Sequence, residues 1–137
     1  MRRSFLLAIP FLLALGCSTY RDDLNRGQRL YLDAQYDHAL AIWRVLETDF
    51  DSLTYSEQAR YAYLRGMTAF RLGYRADARH WLAVSHAIDD QHRGGLSSEA
   101  SGQLQTTLDE LNAEVWGTSA AASAAPAAST TAPPATE

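Results

Sequence analysis

The stretch Gly27-x-x-Leu30-Tyr31-x-x-Ala34-x-x-x-x-Ala39-x-x-x-Trp43 recurs in kind 39 residues later as Gly66-x-x-Ala69-Phe70-x-x-Gly73-x-x-x-x-Ala78-x-x-x-Leu82. Matching offsets over two stretches mean two copies of one supersecondary unit. A helix pair accounts for the spacing. Small residues let two backbones approach where they cross, Gly27 against Ala39 and Gly66 against Ala78. Tyr31, Trp43, Phe70 and Trp81 or Leu82 then fill the wedge where the helices splay. Glycine inside a helix costs about 1 kcal/mol relative to alanine, so two at equivalent positions predict close contact.

The surrounding sequence is helical throughout. Residues 20–116 contain no proline and no long alternating apolar pattern. Breaks at Asp33-Ala34-Gln35, Asp49-Phe50-Asp51-Ser52, Gly73 and Gly94-Gly95 leave room for helices over about 22–33, 36–47, 55–72, 75–88 and 98–115. Thr54 with Glu57 forms a T-x-x-E capping box that should open the third helix. Gly73 can adopt the left-handed conformation that ends it. Ser97 or Ser98 should cap the fifth. There Ala100, Leu104, Leu108, Leu111 and Val115 draw one apolar stripe, while Glu99, Asp109, Glu110 and Glu114 face water. The fold class expected is all-α: two helical hairpins plus a C-terminal capping helix. An acidic fifth helix beside a hairpin carrying Arg60, Arg65, Arg71, Arg75 and Arg79 favours that register.

The small-aromatic-small-aromatic spacing over residues 21–50 and 60–89 resembles the tetratricopeptide repeat (TPR). The resemblance implies a fragment of a right-handed α-solenoid. It departs from the family's pattern in several places. Asp23 and Ala62 stand at the tryptophan-like first position, Ala34 replaces a turn glycine, and no proline closes either copy. The spacing also exceeds the usual repeat of about 34 residues, so the extra length is assigned to the linker 48–54. A generic antiparallel bundle is the alternative.

The two ends of the chain differ from its middle. Arg2 and Arg3 precede an apolar run, Phe5 to Leu15, that is too short to span a bilayer as a helix. Gly16 and Cys17 follow. The stretch Leu13-Ala14-Leu15-Gly16-Cys17 resembles a bacterial lipobox, although Ala14 stands where Leu is commonest. The resemblance implies a signal peptide over 1–16 and a Cys17 that carries diacylglycerol and an acylated amine. Residues 17–21 would then be a short tether, at most about 17 Å from Cys17 to Asp22 if extended. Two or more acyl chains anchor a protein effectively permanently. Ser18, where Asp would favour inner-membrane retention, implies the outer membrane, lipid-anchored on the periplasmic side. An ordinary secretory signal with a chance cysteine is the alternative. Residues 117–137 hold no aromatic or large aliphatic side chain and a single charge, Glu137, so they are expected to be disordered. The helical domain is accordingly placed at 22–116.

A net charge of −4 argues against a nucleic-acid binder, and one cysteine excludes an intramolecular disulfide. No nucleophile, base or phosphate-loop constellation stands out, so neither an enzyme nor a cofactor is expected. His80 and His86 fall on different helix faces. His86 with Asp89 or Asp90 has ligand spacing but supplies only two ligands, so no metal site is expected. What remains is a binding surface. Carrying over the TPR groove positions gives Arg21, Leu24, Gln28, Tyr31 and Leu32 from the first copy, and Arg60, Tyr63, Met67, Phe70 and Arg71 from the second. Tyr31, Leu32 and Phe70 have a plain core reading as well. The function expected is a periplasmic adaptor or scaffold lipoprotein that binds a protein partner in an envelope assembly serving outer-membrane biogenesis, pilus or secretion, or motility. The alternative is a lipoprotein that binds cell wall or anionic envelope polymer through its arginine-rich hairpin.

Overall fold

Ala34 and Gly73, equivalent in the two copies, both have left-handed backbones, with φ of 57° and 81°. Around them the same turn is built twice. Gln35 N–H donates to the Leu30 carbonyl at 2.8 Å and Tyr74 N–H to the Ala69 carbonyl at 2.9 Å. Ala34 N–H reaches the Tyr31 carbonyl and Gly73 N–H the Phe70 carbonyl. This paired bonding is the Schellman termination, which satisfies carbonyls a helix end would otherwise leave open. Each turn folds one helix back on another.

The computed structural model describes residues 16–124. Its elements are α1 (Gly16–Leu32), α2 (Tyr36–Leu46), a 3₁₀ turn (Glu47–Ser52), α3 (Tyr55–Arg71), α4 (Arg75–Gln91) and α5 (Ser98–Ala124). All five α-helices pack into one all-helical body, α1 pairing with α2 and α3 with α4. Among the described residues there is no strand. The capping box forms at α3: Thr54 Oγ1 accepts from Glu57 N–H and the Glu57 carboxylate accepts from Thr54 N–H at 3.0 Å. Ser97 Oγ accepts from Ala100 N–H at 3.2 Å at the head of α5.

Both hairpins close through their glycines, and the nearest atoms belong to Trp43 and Leu82. A Cβ on Gly27 would stand 2.5 Å from the Trp43 ring, and one on Gly66 would stand 2.8 Å from Leu82 Cγ. Ala39 and Ala78 are fully buried nearby, yet it is the large residue one turn further along that presses on each glycine. The missing Cβ makes room for a broad side chain, and that room accounts for the spacing.

Helix α3 is the axis of the body, buried at Ala59 and continuously from Tyr61 to Ala69. The hairpins dock through it. Trp43 Nε1–H donates to Thr68 Oγ1 at 2.9 Å, and Tyr61 O–H donates to the Trp43 carbonyl at 2.7 Å. Tyr61 meets Trp43, Phe50 and Trp81 with ring centroids 5.8, 5.5 and 5.5 Å away. The linker between the hairpins is ordered as well. It forms the 3₁₀ turn, and Gln58 Nε2 holds its Phe50 and Leu53 carbonyls at 3.1 and 3.2 Å.

On the far side α5 lays Leu104, Leu108 and Leu111 against the second hairpin. Ala100 is only half-buried and Val115 is exposed, so the stripe is shorter than its pattern. Arg75 reaches Glu110 at 3.4 Å and Glu114 at 3.3 Å, which is the charge register expected of an acidic helix beside this hairpin.

Two boundaries move. Residues 17–21 belong to helix α1, where a tether was expected. Helix α5 runs to Ala124, past the boundary expected at 116/117. The rest of the expected tail, 125–137, and the signal segment before Gly16 lie outside the described residues.

Candidate functional site

Helix α1 runs beside α3, and α5, which packs on α4, reaches the same side of α3 through a single side chain; polar groups lace these contacts. Arg21 Nε donates to Glu57 Oε1 at 2.7 Å. One turn along, Arg60 Nη2 donates to Asn25 Oδ1 at 2.8 Å. Further on, Tyr63 O–H donates to Gln103 Oε1 of α5 at 2.8 Å. The i, i+4 pair Arg21/Asn25 meets the i, i+3 pair Glu57/Arg60 because each pair shares one side of its helix. Asn25, Glu57 and Gln103 were not expected as members of this face. Asn25 and Glu57 each stand one turn from an arginine of their own helix, which is a weak sequence signal; Gln103 carries none.

The groove residues expected from the resemblance divide into two groups. Leu24 and Met67 are fully buried, and Tyr63 is 8% exposed. These three are corrected from groove to core. Leu24 packs inside the first hairpin's contact, Met67 is enclosed with the rest of α3, and α5 closes over Tyr63. Arg21 and Arg71 are exposed, while Gln28, Tyr31 and Arg60 are half-buried along the face. Tyr31 tilts against Tyr36 with centroids 5.6 Å apart. Leu32 is exposed at the end of α1, and Phe70 lies under the Arg75 guanidinium at 4.7 Å.

Electrostatics follow from these positions. Burial pushes the Tyr63 phenol up to about 12, assisted by Tyr31 and Glu99 and opposed by Arg71. Burial alone would raise the Glu57 carboxyl, but hydrogen bonds from Thr54 and the Arg21 guanidinium outweigh it and hold the group below its ordinary value. Arg60 Nε is buried without a hydrogen-bond partner. The face can therefore offer a partner the Arg71 guanidinium, the Tyr31 ring and the Gln28 amide on a backing already cross-linked by hydrogen bonds.

The arginine-rich hairpin is less cationic at its surface than its composition implies. Arg65 is buried, 5% exposed, over the Trp81 ring, with Glu47 and Asp77 carboxylates 3.6 and 3.8 Å away. Arg60 is bonded to Asn25, and Arg75 is shared between two glutamates. Arg71 and Arg79 are the exposed remainder of that set.

Cys17 is part of α1. His86, Asp89 and Asp90 border a polar cavity of about 380 Å³ between the end of α4 and the start of α5, where Ser101 Oγ donates to Asp89 Oδ2 at 3.2 Å. Among the described residues no group of three His, Cys, Asp or Glu can hold a metal ion, and no helix is long and apolar enough to cross a membrane. The chain matches no family model, no curated protein and no solved structure.

Proposed function

We propose that the chain is a bacterial outer-membrane lipoprotein, anchored through acylated Cys17, whose TPR-like helical unit acts as a periplasmic adaptor for a protein partner. In this reading the two hairpins are a short right-handed solenoid capped by α5. The partner lies along the α1–α3–α5 face, contacting Arg71, Tyr31 and Gln28 beside the Arg21–Glu57 and Arg60–Asn25 links. The observation that carries the reading is that face itself: α1 and α3 cross-tied by two hydrogen bonds, α5 joined to α3 by a third, with Arg71 exposed and Tyr31 half-exposed beside them. Tyr and Arg combine large contact area with directed hydrogen bonds, which is why they concentrate in binding hot spots. A surface already held rigid loses little entropy on binding.

Binding of an anionic polymer is the weaker reading, because the hairpin's arginines are largely committed to internal partners. The test is affinity capture from detergent-solubilised envelopes with wild type, the Tyr31→Ala/Arg71→Glu double variant, and Arg79→Glu on α4. One stoichiometric complex that is lost in the double variant and kept in Arg79→Glu supports the adaptor. Capture that is indifferent to the double variant removes it. Separately, Cys17→Ser should release the protein from membranes, and an unchanged distribution would put the anchor elsewhere.

A further inference from the structure

We infer that the end of the body bearing the start of α1 is a contact surface for the phospholipid headgroup layer, with the helices standing away from the membrane. The inference rests on the reading that Cys17 carries the lipid anchor, and it adds an orientation and a second point of membrane contact.

The reason is the helical state of residues 17–21. An extended tether would let the domain tumble about its anchor. A helix rises only about 1.5 Å per residue, so Cys17 stands roughly 6 Å beyond Arg21 on the same rod. Arg21 is itself fixed to Glu57 in the first turn of α3 at 2.7 Å. The anchor point and the body thus share one rigid element. Because the hairpins alternate in direction, the start of α1, the start of α3, the end of α4 and the start of α5 share that end. Ser56 Oγ reaches the Gly94 carbonyl at 3.5 Å, and the Tyr55 ring stacks on the His92 imidazole at 3.8 Å and 4°.

The chemistry gathered there suits headgroups. Tyr55 is 58% exposed and its stacked partner His92 is exposed too, so the pair presents an amphipathic aromatic surface. Tyrosine favours the membrane–water boundary for that reason. Arg93 beside it offers donors for phosphate. The same end also carries Asp49, Asp51, Asp89 and Asp90, while Arg21 is neutralised by Glu57. The surface, which also holds Asp22, Asp23 and Glu99, is therefore net acidic and disfavours anionic lipid. It fits zwitterionic headgroups, and its seating should persist at high salt. Leu32 marks the opposite end, roughly 22 Å further along α1.

The experiment uses full-length protein purified with its anchor and reconstituted into phosphatidylcholine vesicles that contain a headgroup-linked nitroxide. The chain's single cysteine is occupied by lipid, so Tyr55→Cys, Arg93→Cys and Leu32→Cys each accept one thiol-reactive fluorophore. The labels at 55 and 93 should be quenched several-fold more than the label at 32, at low and high salt alike. Protein that fails to float with the vesicles overturns the anchoring reading, and this inference with it. Protein that floats but shows equal quenching at all three sites, or more at 32, overturns the orientation alone. Two labels at the near end keep the result independent of damage at either one.

Discussion

The two hairpins share a pattern but differ residue by residue at equivalent positions, and the differences decide which one sits in the middle. Asp22, Asn25, Arg26 and Arg29 of α1 correspond to Tyr61, Leu64, Arg65 and Thr68 of α3. The α1 set is exposed or half-buried, whereas the α3 set is buried. The first hairpin therefore ends the stack with a polar outer face. The second is covered on both sides, by the first hairpin and by α5. An element packed on one side only must keep its other side polar, since that side meets water. Even the shared arginine shows it: Arg26 is in solvent, while Arg65 lies over Trp81 between two carboxylates.

The largest effects are expected at the equivalent pair Trp43 and Leu82. Trp43→Ala should cost about 3–5 kcal/mol in chemical denaturation, because it empties the first hairpin's core and strips Thr68 of its donor. Leu82→Ala should cost about 2–5 kcal/mol. A Trp43→Ala cost under about 1 kcal/mol would mean that the hairpins do not dock as described. Next come the glycines. Gly66→Ala and Gly27→Ala should each lower stability by about 1–3 kcal/mol through overpacking. A neutral result at Gly66 in particular would deny the close approach of Leu82, whose backbone nitrogen lies 3.0 Å from the would-be Cβ.

A pH titration separates the hairpins by another route. Burial raises the phenols of Tyr61 and Tyr63 above their ordinary value, Tyr63 to about 12. The folded state then holds protons that the unfolded state has released, so this contribution is complete below pH 10 and fades as pH climbs toward 12. Thermal midpoints should fall across that window, and Tyr63→Phe should flatten the decline. The smallest effect belongs to the turns. Ala34→Gly should raise stability by about 0.5–1 kcal/mol by relieving a left-handed alanine, while Gly73→Ala should lower it by about 1–2 kcal/mol. If the two substitutions act in the same direction, the turns are not equivalent.

Much of this architecture was readable in the sequence because it is local. Thr54 and Glu57 announce a helix start, Gly73 a stop, and Leu104, Leu108 and Leu111 a buried stripe. The glycines are legible as points of close approach, but spacing does not show which side chain comes nearest; Trp43 and Leu82 do. The site was harder. Leu24, Tyr63 and Met67 occupy groove positions by analogy, but their exposure depends on how much of the face α5 and the neighbouring hairpin cover. The Arg21–Glu57 and Arg60–Asn25 links are separated by 36 and 35 residues, and no local rule reaches that far. Helix α5 runs past Trp116 into alanine-rich sequence, because alanine's helix propensity needs no packing partner.

The 3₁₀ turn at Glu47–Ser52 has one more consequence. It carries Phe50 into the ring cluster of Tyr61 and Trp81, so the longer period is a wedge built into the joint between units. Anyone wishing to lengthen this molecule by inserting a third unit would have to copy that wedge along with the helices. A hairpin added without that linker would lack the aromatic spacer and would have to meet its neighbour at a different angle.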